Sequence, residues 1–303
     1  MNVPLIITLA VTIFLIVGFL SGKFKLGLVA MTSLLTLGGI MVFLFLDGLP
    51  LFRDYPVLSF LFGMFWYPTS NPPDFGIFPL IVGSLAVTAL SALVAVPLGV
   101  MTAAYLAEIA PVSTRRVVKP FVELLAALPS VVIGFFGMVI VAPFLQDYMG
   151  AYTGLNLFNA SLMLAFMSVP TICSVAEDAM HAVPDSLREA SLALGATRWE
   201  TLVRVVAPAS LSGIGTAVML GMSRAIGETM VVLMVAGGAA MIPLSVFDPV
   251  RPMPASIAAE MAEAPYRGEH YFALFAVGMV LFLFTLAFNL LAFTIAERHK
   301  QVG

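Results

Sequence analysis

Charge is scarce in this sequence. Only 10% of the 303 residues are Asp, Glu, Lys or Arg, whereas an ordinary soluble domain has about 25%. Hydrophobic residues make up 61% of the chain. This composition excludes a soluble globular domain and predicts an integral membrane protein whose surroundings are membrane lipid, with no nucleic-acid partner.

Cysteine and histidine are also rare. Cys173 is the single cysteine, which excludes an internal disulfide and a thiolate metal cluster. The three histidines, His181, His270 and His299, are far apart and form no metal-binding motif. The sequence predicts no metal site and no cofactor in this chain.

Nucleotide-binding and hydrolase motifs are missing as well. Gly22-Lys23 is followed by Phe24, where a phosphate-binding loop needs a Ser or Thr to hold magnesium. The chain contains no G-x-S-x-G nucleophile elbow. It is therefore not expected to be an enzyme acting alone or to have its own nucleotide site.

Long hydrophobic runs are what the chain has in quantity, and about 20 such residues can cross a bilayer as a helix. The first run has no basic residue before it and no clear cleavage site, so it is interpreted as a retained span. The predicted spans are Met1–Gly22, Leu26–Leu46, Phe75–Ala107, Leu124–Gln146, Tyr148–Ala176, Val205–Phe247 as one long or kinked helix with an outer segment, and Tyr271–Ala296. The fold class is an all-α polytopic membrane protein with about seven transmembrane helices. Residues 1–74 are assigned to two helices and an outer loop, and residues 75–303 to a transmembrane core.

Basic residues indicate the orientation. Ten Lys and Arg residues fall on one side of the predicted membrane, and three fall on the other, namely Arg53, Arg251 and Arg267. The positive-inside rule then places the C-terminus and the loop around Arg188 in the cytoplasm, and the N-terminus outside.

One polar stretch, Ser186–Pro208, interrupts the hydrophobic pattern. Ser186–Glu189 and Thr197–Glu200 both have the S/T-x-x-E form of a capping box, which predicts two helix starts. Gly195 between them is a natural terminator. The apolar positions at helical spacing are Leu187, Ala190, Ala193 and Leu194, then Leu202, Val203 and Val206. The pattern predicts a helix, a glycine turn and a second helix. Periodicity alone fits two roles for this segment equally well, a connector on the membrane surface or a docking element.

The same stretch resembles the EAA loop of ABC-importer permeases. The similarity lies in Glu189-Ala190-Ser191, then Gly195, then Ala207-Pro208. In that family the loop is the coupling helix, which sits in a groove of a separate ATPase subunit. The resemblance implies a type I ABC-importer permease core of the MetI-like kind. It also implies ATPase-coupling residues, namely Ser186, Glu189, Ala190, Gly195, Thr197, Trp199 and Glu200.

Two further segments, Glu123–Gly137 and Ser223–Met230, resemble the phosphate-specific (Pst) permeases. The continuation 230–238 is closer to the PstC-type subunit than to the PstA-type subunit. The similarity covers roughly Phe75 to Ala296, which is most of the chain.

Arg224 and Glu228 are the charged residues inside the Val205–Phe247 run. A charge in the hydrocarbon region is costly, so such residues usually face a protein interior or a water-filled path. At positions i and i+4 of one helix, the two side chains would share a face. Two arrangements are predicted. In one, the two side chains form an intrahelical salt bridge. In the other, Arg224 contacts an oxyanion in transit and Glu228 holds Arg224.

Two hydroxyls are weaker candidates for the substrate pathway. Ser130 follows Pro129 and is predicted either to line the pathway or to serve helix packing. Thr229 is predicted either to donate to the anion or to bond back to its own helix.

The resemblance implies a larger assembly. A PstS-like extracytoplasmic phosphate-binding protein would deliver phosphate, a PstA-like second permease subunit would complete the passage, and a PstB-like ATPase dimer would use ATP and magnesium. The location implied is the bacterial cytoplasmic (inner) membrane. The alternatives are a permease for another oxyanion such as molybdate or sulfate, and an ATP-independent secondary transporter or channel.

Overall fold

The computed structural model describes residues 26–298, so the predicted first span, Met1–Gly22, lies outside the described residues. The first half of the described chain contains α1 (Leu26–Gly48), a 3₁₀ turn (Leu49–Arg53), α2 (Val57–Phe62), β1 (Trp66–Tyr67), β2 (Asp74–Phe75), α3 (Phe78–Ala104) with a π-helical turn (Tyr105–Ile109), α4 (Val112–Ala127), α5 (Ser130–Phe136) with a π-helical turn (Gly137–Val141), and α6 (Ala142–Met149). The two strands pair antiparallel as a small hairpin.

The second half continues the helical architecture. It contains α7 (Leu157–His181), α8 (Asp185–Ala193), α9 (Arg198–Thr201) with a π-helical turn (Leu202–Val206), α10 (Ala207–Ala209), α11 (Leu211–Ile226), α12 (Met230–Val235), α13 (Met253–Glu260) and α14 (Glu269–Arg298).

The all-α membrane fold class predicted from the sequence is confirmed. Within residues 26–298, five helices are long and apolar enough to cross a membrane, and one further pair of helices is bent by 74° and qualifies if it is a broken span. The predicted total of about seven includes the first span, so that total stays a prediction.

Two predicted spans have wrong boundaries. The run Leu124–Gln146 is not one helix, because α4 ends at Ala127 and the transmembrane helix begins at Ser130. Leu128 is extended, with ψ 134°, as expected for a residue that precedes a proline. The run Tyr148–Ala176 is also divided, because the left-handed Gly150 (φ 67°) ends α6.

The run Val205–Phe247 differs most from its predicted form. Instead of one long or kinked helix, it contains α10, α11 and α12, separated at Ser210 and at residues 227–229. After α12, the consecutive residues Gly237 and Gly238 adopt positive φ values of 91° and 71° and turn the chain out of helical structure. The predicted outer segment therefore follows a short helix that is separate from α11.

Helix α7 is the centre of the bundle and packs against α3 and α11. Its Ile172 side chain is buried between glycines of those two neighbours. A Cβ atom on Gly99 would lie 2.8 Å from Ile172 Cβ, and one on Gly221 would lie 2.5 Å from Ile172 Cγ1. Small residues therefore let the three helices approach closely.

The two ends of the bundle carry different structures. At the end where α3 begins, the hairpin packs on α13 and α14, and Trp66 Nε1 donates to Glu260 Oε2 at 3.0 Å. Arg251 and His270 form ion pairs with the same buried carboxylate. Tyr55 donates a hydrogen bond to Asp74 at 2.8 Å, and its burial together with this bond raises the pKa of its hydroxyl. The opposite end, where α3 and α7 terminate, carries α8 and α9.

Candidate functional site

The first predicted site is the α8–α9 segment, and its turn has the predicted form. Gly195 has a φ of 85°, a left-handed value that other residues rarely adopt. Its amide donates to Leu192 O at 3.0 Å, and the next amide, of Ala196, donates to Ser191 O at 3.2 Å. The predicted helix, glycine turn and helix are confirmed.

One of the two predicted capping boxes is present. Thr197 Oγ1 accepts from the Glu200 amide at 3.2 Å, and Glu200 Oε2 accepts from the Thr197 amide at 2.8 Å. The Ser186–Glu189 box is wrong, because α8 begins one residue earlier, at Asp185, with Pro184 at the N-cap and no capping side chain. Pro184, with φ −58°, stands immediately before the helix, so Ser186 is already inside it.

Arg188 anchors α8 to the bundle. Its guanidinium donates to Glu108 Oε1 at 3.0 Å and to Asp185 Oδ1 at 2.8 Å. It also donates to the backbone carbonyls of Met180 at 2.7 Å and Val183 at 2.5 Å. Glu108 belongs to the turn that ends α3, and Met180 lies in the last turn of α7. Arg188 thus connects the polar segment to the ends of two core helices.

A second polar contact joins α8 to α9. The hydroxyls of Ser191 and Thr201 are 3.0 Å apart. Ser191 occupies the position where the EAA pattern has its second alanine, and the sequence assigned it no role. Within this structure the serine fastens the two helices together.

The outward face of the segment is exposed and carries both polar and apolar side chains. No residue of α8 is buried, and Leu194 and Trp199 are 90% and 63% exposed. The predicted coupling residues Ser186, Glu189, Ala190, Gly195, Thr197 and Trp199 are exposed, and Glu200 is half-buried. The segment is therefore held to the bundle by Arg188, and its outward side is exposed.

The second predicted site is the Arg224 and Glu228 pair, and its predicted geometry is wrong. Helix α11 ends at Ile226 with Gly227 as its C-cap, so the two residues are not on one helix. The Glu228 carboxylate instead accepts from the amides of Met230 at 3.2 Å and Val231 at 3.4 Å, at the start of α12. Glycine is a poor helix former, and this carboxylate satisfies the amides that the break leaves without intrahelical partners.

Arg224 lies in the last turn of α11 and is exposed. It forms no ion pair with any carboxylate in the described part of the chain, so the intrahelical salt bridge, one of its two predicted arrangements, is absent from these residues. The preceding residue, Ser223, donates to Asn289 Oδ1 at 2.5 Å and joins α11 to α14. The Arg224 guanidinium is therefore exposed at the end of α11, and the bond to α14 fixes the position of that helix end.

Ser130 and Thr229 are both half-buried and lie at helix breaks. Ser130 is the first residue of α5, directly after Pro129. Thr229 precedes α12, and its hydroxyl donates to Gly227 O at 3.4 Å, which is the backbone alternative of the two predicted for it.

The two breaks lie side by side because α5 and α12 pack in parallel. A Cβ on Gly134 would lie 3.4 Å from Val231 Cα, and one on Gly137 would lie 2.9 Å from Val235 Cγ1. Gly134 lies one turn after the start of α5 at Ser130, and Val231 is the second residue of α12, so the starts of the two helices are close together. The two segments that resemble phosphate permeases are therefore brought together, although about 90 residues separate them in the sequence.

Among residues 26–298, no group of three His, Cys, Asp or Glu side chains is placed to hold a metal ion. The chemistry available at the breaks is a guanidinium, a carboxylate and two hydroxyls. This set can bind and release an anion.

Comparison with known families identifies the class of membrane protein to which this chain belongs. Residues 95–301 match the family described as "Binding-protein-dependent transport system inner membrane component". The match covers more than half of the chain. The chain belongs to this family of transport permeases.

Relatives at higher identity give a narrower placement. The chain is 41% identical over 263 residues to the probable ABC transporter permease protein YqgH of Bacillus subtilis, covering 86% of this chain and 85% of the relative. It is 36% identical over 276 residues to the phosphate transport system permease protein PstC of Mesorhizobium japonicum, covering 84% and 83%. The PstC protein of Pasteurella multocida is also 36% identical, over 75% of this chain and 77% of the relative. The resemblance to PstC-type permeases noted in the sequence is confirmed.

Solved structures agree on the fold. A chain of a bacterial ABC transporter involved in the import of the acidic polysaccharide alginate superposes with a TM-score of 0.62 at 16% identity, over 90% of this chain and 96% of that chain. A chain of the MetNI methionine ABC transporter, in an inward-facing conformation, superposes with a TM-score of 0.56 at 20% identity, over 75% and 95%. The predicted MetI-like permease core is confirmed.

Proposed function

We propose that this chain is a permease subunit of an ATP-driven phosphate importer. The observation that carries the proposal is the convergence of the two helix breaks before α5 and α12, with the exposed guanidinium of Arg224 one turn before the second break. The PstC proteins among its relatives favour phosphate over other solutes.

Arg224 is the proposed contact for phosphate in transit. Arginine keeps its charge at any relevant pH, and its planar fork of donors suits an oxyanion. No carboxylate of the described chain forms an ion pair with Arg224, so the guanidinium is available to a passing anion. Ser130 and Thr229, at the level of the breaks, are proposed to line the same passage.

Glu228 takes a different role from the one first expected. In this conformation its carboxylate caps the start of α12 and is not directed at Arg224 by any hydrogen bond. We assign it to holding the break open and fixing where α12 begins. Its negative charge near the passage also keeps phosphate from being bound too tightly.

The α8–α9 segment is the proposed docking element for a separate ATPase subunit. A displacement of α8 would be transmitted by Arg188. This side chain contacts Glu108 in the turn that ends α3, the Met180 carbonyl in the last turn of α7 and the Val183 carbonyl just after α7. Those two helices form the centre of the bundle with α11, which carries Arg224. This provides a continuous physical connection from the docking surface to the anion contact.

The proposed assembly contains four kinds of subunit. An extracytoplasmic binding protein delivers phosphate, this chain and a PstA-like permease form the passage, and an ATPase dimer docks on α8–α9. The chain itself hydrolyses no ATP. The proposed location is the bacterial inner membrane, with α8–α9 and the C-terminus on the cytoplasmic side.

Transport of molybdate or sulfate is the second candidate, because Arg224 offers the same donors to any tetrahedral oxyanion. The test is ATP-dependent uptake of radiolabelled phosphate by vesicles containing the whole assembly, with unlabelled sulfate or molybdate as competitors. Uptake that phosphate alone suppresses supports the proposal, whereas uptake suppressed better by sulfate or molybdate contradicts it. Uptake that persists without ATP would instead identify a secondary transporter or channel.

The Arg224→Gln variant tests the anion contact in the same vesicles. Hydrogen bonds to charged groups contribute about 1.5–3 kcal/mol, so we expect uptake to fall about tenfold or more. Arg116→Gln is the matched control, since Arg116 is an exposed arginine near the start of α4, at the opposite end of that helix from the break before α5. Equal uptake by the two variants would contradict the role of Arg224.

A further inference from the structure

A separate cavity lies at the end of the molecule opposite to α8–α9. It has a volume of about 750 Å³ and lies between the 3₁₀ turn that follows α1 and the start of α14. Helix α3 begins beside the cavity, and its 27 residues extend for about 40 Å. The cavity is therefore remote from the docking surface, and it includes none of the residues assigned above to phosphate passage.

Two arginines line this cavity, and both are exposed. Neither Arg53 nor Arg267 forms an ion pair with a carboxylate of the described residues. Arg251, the third arginine predicted on this side of the membrane, is by contrast neutralised by the buried Glu260. The cavity therefore presents two guanidinium groups that are available to an anionic group.

The backbone presents one of these arginines in an unusual way. Arg267 has a φ of 59°, in the left-handed region that residues other than glycine and asparagine seldom adopt. Its guanidinium carbon lies 5.7 Å from the centroid of the Tyr266 ring. A cation–π contact orients this cation without neutralising it.

Carboxylates line the same cavity, namely Asp47, Asp54 and Glu269. Asp47 accepts a hydrogen bond from the Tyr271 hydroxyl at 3.1 Å. A cavity that contains groups of both signs is complementary to a ligand that also carries both. A free dianion would gain from the arginines and be repelled by the three carboxylates.

Part of the cavity wall is apolar and continues onto the membrane-facing surface. Leu51 and Phe75 are buried beneath it. Leu46, at the end of α1, lines the cavity and is 63% exposed. Along α1, Met31, Leu34 and Leu35 are also largely exposed, as expected for a helix surface in contact with lipid tails. A ligand in this cavity therefore has charged groups around its head and apolar surface beside it.

We propose that the cavity binds the headgroup of a zwitterionic phospholipid. Arg53 and Arg267 contact its phosphate, and the carboxylates of Asp47, Asp54 and Glu269 contact its ammonium group. The phosphate is the part of this chemistry that a lipid headgroup shares with inorganic phosphate, so the test must separate the two sources.

The experiment is native mass spectrometry of the full-length chain, delipidated and then titrated with dioleoyl phosphatidylethanolamine or dioleoyl phosphatidylglycerol. The variant is Arg53→Gln with Arg267→Asn, because asparagine is neutral and tolerates the left-handed backbone. Arg116→Gln is the control, since it removes an exposed arginine outside the cavity. We expect the double variant to bind phosphatidylethanolamine about tenfold more weakly, as for the loss of charge-assisted hydrogen bonds, and the control to bind it as the wild type does.

A second variant keeps the proposal testable if the first one folds poorly. Asp54→Asn with Glu269→Gln removes two of the three carboxylates, so the preference for phosphatidylethanolamine over phosphatidylglycerol should shrink or reverse. Equal lipid binding by the wild type and the arginine double variant would overturn the proposal. Saturable binding of inorganic phosphate that the double variant loses, without any difference in lipid retention, would also overturn it and assign the site to the free anion.

Discussion

The α8–α9 turn and the paired starts of α5 and α12 both interrupt helices, but by different means. In the turn, a left-handed glycine and a threonine–glutamate capping box act within six residues, Gly195 to Glu200. At the breaks, Pro129 and Gly227 end their helices, and the new helices are held in register by contacts between α5 and α12. The turn is therefore a local device on a surface, whereas the breaks depend on packing inside the bundle.

This difference predicts that the turn can be altered without disturbing the bundle. The largest effect is expected for Gly195→Asp, because a φ of 85° suits glycine best and the new carboxylate changes an exposed surface. We expect the affinity for the ATPase subunit to fall about tenfold or more, as measured by co-purification of the assembly at graded concentrations.

Gly150→Asp is the matched control for that variant. Gly150 also has a positive φ, of 67°, and at both glycines a Cβ atom would have no neighbouring atom within 4 Å. Gly150 ends α6, away from α8 and α9. Equal loss of ATPase affinity in the two variants would contradict a docking role for the turn.

The second prediction concerns the packing of the breaks. A methyl group on Gly137 would lie 2.7 Å from Met163 Cγ and 2.9 Å from Val235 Cγ1. Overpacking of this kind costs about 1–3 kcal/mol, so Gly137→Ala should lower the apparent melting temperature in detergent. Gly215→Ala is the control, because nothing lies within 4 Å of its Cβ position, and it should leave the melting temperature unchanged or raise it. A loss of the same size in both variants would show that close contact between α5 and α12 is not what matters.

The third prediction concerns the capping box. Thr197→Ala removes the oxygen that accepts from the Glu200 amide, and such a cap contributes about 1 kcal/mol to a helix. We expect the Glu200 amide to exchange its hydrogen about fivefold faster in this variant, with global melting unchanged. Thr197→Ser should restore slow exchange, and an unchanged rate in Thr197→Ala would show that the box does not stabilise the start of α9.

The smallest effect is expected for Glu228→Gln. A glutamine keeps an oxygen that can accept from the amides of Met230 and Val231, so stability should change by only about 0.5 kcal/mol or less, whereas Glu228→Ala should cost about 1 kcal/mol. Apparent melting temperatures of the two variants make the comparison. Equal losses in both would indicate that the charge of Glu228 matters rather than its capping oxygen, and would restore the idea that it acts on Arg224.

Sequence patterns predicted the local features well and the tertiary ones poorly. The helical class and the α8–α9 turn could be predicted, because hydropathy, Gly195 and Thr197 act over short distances. The capping box at Ser186 was wrong, because Pro184 starts the helix one residue earlier. Local pattern alone does not reveal where a neighbouring proline shifts a helix start.

The sequence patterns did not predict the two helix breaks or the contact between Arg188 and Glu108, and the reason is physical. Hydrophobicity continues through residues 124–146 and 205–247, and a hydropathy run does not register where the backbone stops being helical. Pro129 and Gly227 were the available signals in the sequence. Only the contact between α5 and α12 shows that the two breaks lie together. Arg188 and Glu108 are 80 residues apart, so no spacing rule could pair them.

The central claim is that the anion contact and the docking surface are separate sites on one permease, and it is tested most directly by measuring phosphate uptake and ATP hydrolysis in the same vesicles. For Arg224→Gln, the claim predicts lost uptake with the ATPase still bound and hydrolysing ATP. For Gly195→Asp, it predicts that both uptake and ATPase association are lost. Undiminished phosphate uptake in both variants would contradict the claim, leaving the permease fold in place and both site assignments wrong.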